Sequence, residues 1–249
     1  MIAAALQKDC RYGEKKLALL VDPDRQEPAA IPGLAALARE AGVDLFLVGG
    51  SLLTRLRLDQ TVSLLKAHSE CPVILFPGSA WQLCAQADGL LFLSLISGRN
   101  PDLLIGQHVQ AAPLLRDTRL EVLPTGYMLV DGGAPTTVSY ITQTQPLPAD
   151  KPELAAATAL AGQYLGLQWL YLDAGSGARQ PVPFEMIRAV REASRLPLFV
   201  GGGIRTPDQA AQAARAGADI VVVGTAVEKD PQGLGALCQA VHSALHLAG

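Results

Sequence analysis

Eight short apolar runs recur along the chain, most of them separated by stretches of helical period, and this alternation constrains the fold more than any other feature. The runs are 17–22, 44–49, 72–76, 89–95, 120–125, 168–173, 197–201 and 219–224. Each is rich in Val, Leu and Ile and lacks polar alternation, as expected of strands covered on both faces in a parallel sheet. Helical spacing occupies 29–41, 59–68, 153–164, 184–192 and 207–216, and a last helix is expected from 231 to the end. Strand–helix alternation over 249 residues predicts an α/β fold, a (β/α)8 TIM barrel in one domain spanning 1–249. A doubly wound open sheet is the alternative.

Two connections break the rhythm. From 126 to 151 the chain is rich in Thr, Gln and Pro and shows no helical period, so it is expected to be a long functional loop. After the fourth run, SGRNPDLLIGQH offers a turn and a short apolar piece where a full helix belongs.

Composition removes several classes. An apolar fraction of 49% with 17% charged residues excludes wholesale disorder. A net charge of -3 gives no basic excess for nucleic acid. Cys10, Cys71, Cys84 and Cys238 are far apart and form no CxxC pair, which argues against a disulfide framework or thiolate zinc and for a reducing, cytoplasmic setting. The first residues do not read as a signal peptide, and no apolar run reaches the roughly 18 residues of a membrane span, so no stable membrane anchor is expected.

Polar and glycine residues collect at the ends of the runs, where barrels of this kind place their active sites. Gly175-Ser176-Gly177, Gly202-Gly203 and Gly224-Thr225 close three consecutive runs, each followed by a helix. Glycine lets backbone N–H groups approach a phosphate, and a helix N-terminus adds partial positive charge. Ser176 and Thr225 add hydroxyl donors. Asp22 and Asp24 close the first run and Ser51 the second, an oxygen set suited to Mg2+ beside a phosphate; Asp22-Pro23-Asp24 reads equally as a turn and helix cap. Asp173 stands two residues before Gly175, placed to take a proton from a substrate hydroxyl or accept a hydrogen bond from it, or else to serve as a structural partner for Arg205 or for loop N–H groups. Tyr171 shares its face and serves either packing or a ligand. His242 and His246 have i, i+4 spacing but no third ligand, and read as a solvated face. His68 ends a helix, and His108 has no assigned role.

These pieces resemble the geranylgeranylglyceryl phosphate synthase family, in particular its second group. The matching segments are LLVDPD (19–24), VGGS (48–51), SGRNPD (97–102), PTGYMLVDGG (124–133), YLDAGSGA (171–178), VGGGIR (200–205) and VGTAVEKD (223–230). The resemblance implies a modified barrel that joins a prenyl diphosphate to the 3-hydroxyl of sn-glycerol 1-phosphate through an ether bond, with Mg2+ as cofactor. It implies Asp22 and Ser51 as metal ligands, Asp173 as the base, and a glycerol phosphate site of Tyr171, Leu172, Asp173, Ala174, Gly175, Ser176, Gly177, Gly202, Gly203, Gly224 and Thr225. It further implies an irregular segment in place of one helix, which SGRNPDLLIGQH would suit, and a homo-oligomer, dimer or hexamer. The family usually carries Glu where this chain has Asp173, and often Asn where it has Thr225. By strand position, Leu93, Leu95, Ile96 and Tyr127 would line a groove for the prenyl chain. Two other readings share part of this pattern: another phosphate-binding barrel enzyme of amino acid or vitamin biosynthesis, and a non-catalytic binder of prenyl or phosphate ligands.

Overall fold

A computed structural model describes residues 1–244 of the protein. Strands β1 (Lys16–Val21), β2 (Leu45–Val48), β3 (Val73–Leu75), β4 (Gly89–Leu95), β5 (Glu121–Leu129), β6 (Trp169–Asp173), β7 (Leu198–Gly201) and β8 (Ile220–Val223) form a closed barrel in sequence order. All pairings are parallel, and β8 closes on β1 through Lys16–Leu19 against Ile220–Val223. The helices are α1 (Ile2–Arg11), α2 (Ile31–Ala41), α3 (Leu58–His68), α4 (Gln107–Arg116), α5 (Thr137–Thr142), α6 (Pro152–Tyr164), α7 (Phe184–Ala193), α8 (Pro207–Ala216), α9 (Thr225–Lys229) and α10 (Leu234–His242).

The unbroken apolar runs divide between two cores because side chains alternate across each strand. On β6, Trp169 and Tyr171 enter the barrel, while Leu170 and Leu172 pack between barrel and helices. Trp169 is therefore core; Trp81, on the connection after β3, is exposed. Helix ends follow local chemistry. The Thr206 hydroxyl accepts from the Gln209 amide and Pro207 sets the first turn of α8. Gly42, at φ +81°, closes α2 in a left-handed conformation that suits glycine.

The connections differ from expectation in three places. The helix missing from the barrel lies between β3 and β4, not after β4. Residues 76–88 hold turns only, whereas a π-helical turn at Asp102–Gly106 leads into α4 after β4. Pro113 inside α4 and the wide turn before it hide the helical period. In 76–88, Gly78 passes so close to the loop after β2 that a Cβ would lie 2.4 Å from the Gly50 carbonyl oxygen, so only glycine fits there.

Second, 126–151 is no simple loop. β5 runs on to Leu129, Val130 bridges Leu147, and α5 follows a capping box in which Thr136 and Ser139 exchange bonds. A six-residue helix is too short to show a period. Third, α1 precedes the barrel, and Leu6 inserts with Ile2 and Ala3 into the inner core at its floor. The last helix is a 3₁₀ turn, Pro231–Gly233, followed by α10; the rest of the expected span, 245–249 with His246, lies outside the described residues. His242 does not face solvent alone: its Nε2 lies 2.8 Å from Asp44 Oδ2. No described helix is long and apolar enough to cross a membrane.

Candidate functional site

A cavity of about 400 Å³ opens at the carboxyl ends of the strands and gathers most of the residues singled out above. It has three regions: a glycine rim on the β6–β8 side, a carboxylate corner at β1 and β2, and an apolar arm beyond β3 and β4.

The rim consists of Ser176, Gly177, Gly202, Gly203, Gly224 and Thr225. Gly202 and Gly203 have φ of +78° and +73°, and a Cβ on Gly202 would lie 2.5 Å from Asp173 Oδ1. Only glycine fits this turn. Among the described residues, the amides of Ser176, Gly177, Gly202 and Gly203 donate to no protein acceptor, so they remain available to an anion. The amides of Ala174 and Gly175 are already committed, to the Gly201 carbonyl at 3.1 Å and to Asp173 Oδ1 at 2.7 Å. Ala174 and Gly175 therefore shape the rim without lining it, and Leu172 faces the outer core. Arg205 also lines the cavity and donates to the carbonyls of Ala178 and Arg179, tying the β6 loop to the β7 loop. It does not pair with Asp173.

Asp173 is 6% exposed at the end of β6. Its Oδ2 accepts from the Tyr127 hydroxyl at 2.7 Å and its Oδ1 from the Gly175 amide. Burial pushes its pKa above the ordinary carboxylate range, while those two bonds pull it down. Tyr127, opposite Tyr171 in the β5–β6 register, is itself pushed well up by burial and by the Asp173 charge. Phe76 stacks on Tyr171 with ring centroids 5.0 Å apart, and Tyr127 meets the Tyr171 ring edge-on at 5.5 Å. These rings hold the carboxylate against a rigid apolar wall. Sequence reasoning misses Tyr127 as the partner of Asp173; the legible signal is its inward place on an extended β5.

At the carboxylate corner, Asp22 and Ser51 line the same mouth. Asp22 Oδ1 accepts from the Asp24 amide at 2.9 Å, and Oδ2 lies 3.4 Å from Arg25 Nε. Burial raises the Asp22 pKa. Asp24 serves a different end. It accepts from the Thr54 hydroxyl at 2.8 Å and the Arg55 amide at 3.1 Å, securing the loop after β2. The turn reading of Asp22-Pro23-Asp24 is seen directly, since the Asp22 side chain accepts from the Asp24 amide two residues on.

The apolar arm follows from the missing helix. Leu83 and Ala80 from 76–88, Leu90 and Phe92 on the outer face of β4, Leu103, and His108 and Ala111 on α4 all line it. Leu93, Leu95 and Tyr127 line the cavity as expected, but Ile96 does not; it packs against Gly126 and Gly162. His108 meets Phe92 edge-on at 4.4 Å and lies 3.2 Å from the Ser94 hydroxyl, and burial lowers its pKa, so it joins the wall as a neutral ring. α5 roofs the mouth with Val138 and Ile141.

The comparisons with known proteins agree with this geometry. The model of the PcrB family matches residues 10–243. A geranylgeranylglyceryl phosphate synthase of Spirosoma linguale is 56% identical over 219 residues, 88% of each chain. One of Chitinophaga pinensis is 50% identical over 232 residues, covering 93% of this chain and 92% of its own. Among solved structures, (S)-3-O-geranylgeranylglyceryl phosphate synthase of Thermoplasma acidophilum, in complex with sn-glycerol-1-phosphate, superposes with a TM-score of 0.91 at 32% identity, covering 97% of this chain and 98% of that one. The match spans all eight strands and every part of the cavity, and with it the chain belongs to the PcrB family.

Proposed function

We infer that the protein joins sn-glycerol 1-phosphate to a prenyl diphosphate, geranylgeranyl diphosphate by preference, through an ether bond at the glycerol 3-hydroxyl, releasing diphosphate. One observation carries this reading: a single cavity joins an amide-lined rim, a buried carboxylate and an apolar arm. A phosphate monoester suits the rim and a hydrocarbon suits the arm, with Asp173 where the two meet. The names of the relatives, and the ligand in the Thermoplasma structure, support the same chemistry.

The rim amides would hold the glycerol phosphate so that its 3-hydroxyl faces Asp173. Asp173 accepts the hydroxyl proton as the oxygen attacks the allylic carbon. Tyr127 and the Gly175 amide keep its two oxygens in place. Holding both reactants in register supplies much of the acceleration. The arm binds the prenyl chain at about 0.8 kcal/mol for each buried CH2.

Asp22 and Ser51 fit a hard cation. Both are oxygen donors on one mouth, and a Cβ on Gly50 would come within 3.3 Å of Asp22 Oδ2, so the carboxylate stands beside open backbone. No cluster of three His, Cys, Asp or Glu exists among the described residues, so substrate oxygens would complete the shell, as Mg2+ favours. When bound, the ion supplies positive charge to the departing diphosphate. Incubation with labelled glycerol 1-phosphate and geranylgeranyl diphosphate, followed by butanol extraction, should yield a labelled lipid. Binding of both reactants without any product would reject the catalytic reading.

A further inference from the structure

The opposite end of the barrel carries a second cavity, of about 350 Å³, lined by the last turn of α1, the residues before β6, the α7–β7 turn and Asp219. Its charge is unbalanced. Arg11, Arg191 and Arg195 line it and Lys15 stands beside it, against the one carboxylate of Asp219. Asp219 is already shared: Arg191 Nη2 donates to it at 2.8 Å, the Leu198 amide at 2.9 Å, and Lys15 Nζ lies 3.6 Å away. Arg191 Nη2 also donates to the Leu196 carbonyl at 2.9 Å, which locks the guanidinium in place. Its Nε–H is buried and has no acceptor. Arg11 and Arg195 make no ion pair among the described residues.

We propose that this floor cavity is an oxyanion site of phosphate class, in which one anion bridges Arg11 of α1 to Arg191 of α7 and Arg195 of the α7–β7 turn. Guanidinium forks match a tetrahedral oxyanion, and a low-dielectric cleft of one sign concentrates counter-ions. Gly217 makes the arrangement possible, since a Cβ there would lie 2.7 Å from the Arg191 Cβ. Gln7 and Gln168 add neutral donors on the walls. Cys10 faces the same cavity, but burial and the Asp219 charge push its thiol up to about 12. It stays protonated, so the site binds and does no thiolate chemistry. The floor is spatially separate from the rim, so the two sites titrate independently.

Proton–nitrogen correlation spectra of the full chain test this, with inorganic phosphate and glycerol 1-phosphate titrated separately. The Arg191 Nε–H signal, assigned with Arg191→Lys, should shift saturably with at least one of them. A shift with phosphate marks a general oxyanion site; a shift with glycerol 1-phosphate alone marks a site for monoesters. The double variant Arg11→Glu/Arg195→Glu, changed at exposed positions, should weaken that shift about tenfold or more, roughly 1.4 kcal/mol, and leave the Gly202 and Gly203 amide shifts intact. An Arg191 signal that stays still while the rim amides move overturns the proposal, as does a floor shift that the double variant leaves unchanged. Should the double variant fold poorly, Arg195→Gln alone gives the same reading with a smaller loss.

Discussion

At the scale of single residues, the site depends on Asp173 and what holds it. Asp173→Ala should lower turnover on the order of 100- to 10,000-fold while glycerol 1-phosphate binding, measured by calorimetry, changes little. Equal losses in both would remove its role as base. Because burial raises the Asp173 pKa, the acid limb of the pH–rate profile should lie above the ordinary carboxylate range, with activity falling as pH drops through it. The Tyr127 bond favours the charged form, so Tyr127→Phe should move that limb to still higher pH; a limb that stays put or moves down contradicts the pairing. The linked stability has the opposite sense. A raised folded pKa means the native state holds this proton more tightly than the unfolded chain, so the contribution of Asp173 declines as pH rises through the interval from the unfolded to the folded value. Gly202→Ala places a Cβ 2.5 Å from Asp173 Oδ1 at a φ of +78°, and should cost about 1–3 kcal/mol in denaturant melts as well as weakening phosphate binding.

At the scale of elements, the decisive feature is an absence. Every strand except β3 is followed by a helix, and the turns of 76–88 leave β4 uncovered enough for a groove between its outer face and α4. The sequence pattern marks two connections as irregular, 126–151 and the one after β4, and the second only looks so because Pro113 and the π-helical turn hide its helix. Regular spacing identifies α2, α3, α6, α7 and α8 because each shows several turns of one period. It misses α5, whose evidence lies in its cap: Thr136 and Ser139 at N-cap spacing. Thr136→Ala should cost about 1 kcal/mol of local stability. It should speed hydrogen exchange across 137–142 and raise the KM for substrate, since Val138 and Ile141 roof the mouth.

At the scale of the whole molecule, barrel closure sets two ends apart. The rim end opens into the larger cavity; the floor is plugged by α1 through Leu6 and lined by arginines. Leu6→Ala removes a buried plug side chain and should cost about 2–5 kcal/mol, visible as a lower denaturation midpoint. It should leave rim phosphate affinity unchanged, because floor and rim share no residues; a loss of rim binding would show that the floor sets the shape of the mouth.

The eight strands, their parallel order and the glycine turns of the rim are all legible in the chain without its structure. They depend on local quantities: run length, side-chain alternation and the φ values that only glycine reaches readily. The same local pattern puts Asp173, Asp22 and Ser51 at strand ends, which the barrel gathers around one opening. Folding in three dimensions settles the rest: which tyrosine holds Asp173, that Asp24 secures the loop after β2 from the wall of the cavity, where the apolar arm runs, and that cations from α1, α7 and the α7–β7 turn line one cavity beneath the floor. Each of these rests on residues far apart in the chain, 46 positions in the case of Tyr127 and Asp173. Their meeting is set by register and by the shear of barrel closure, which no local pattern records.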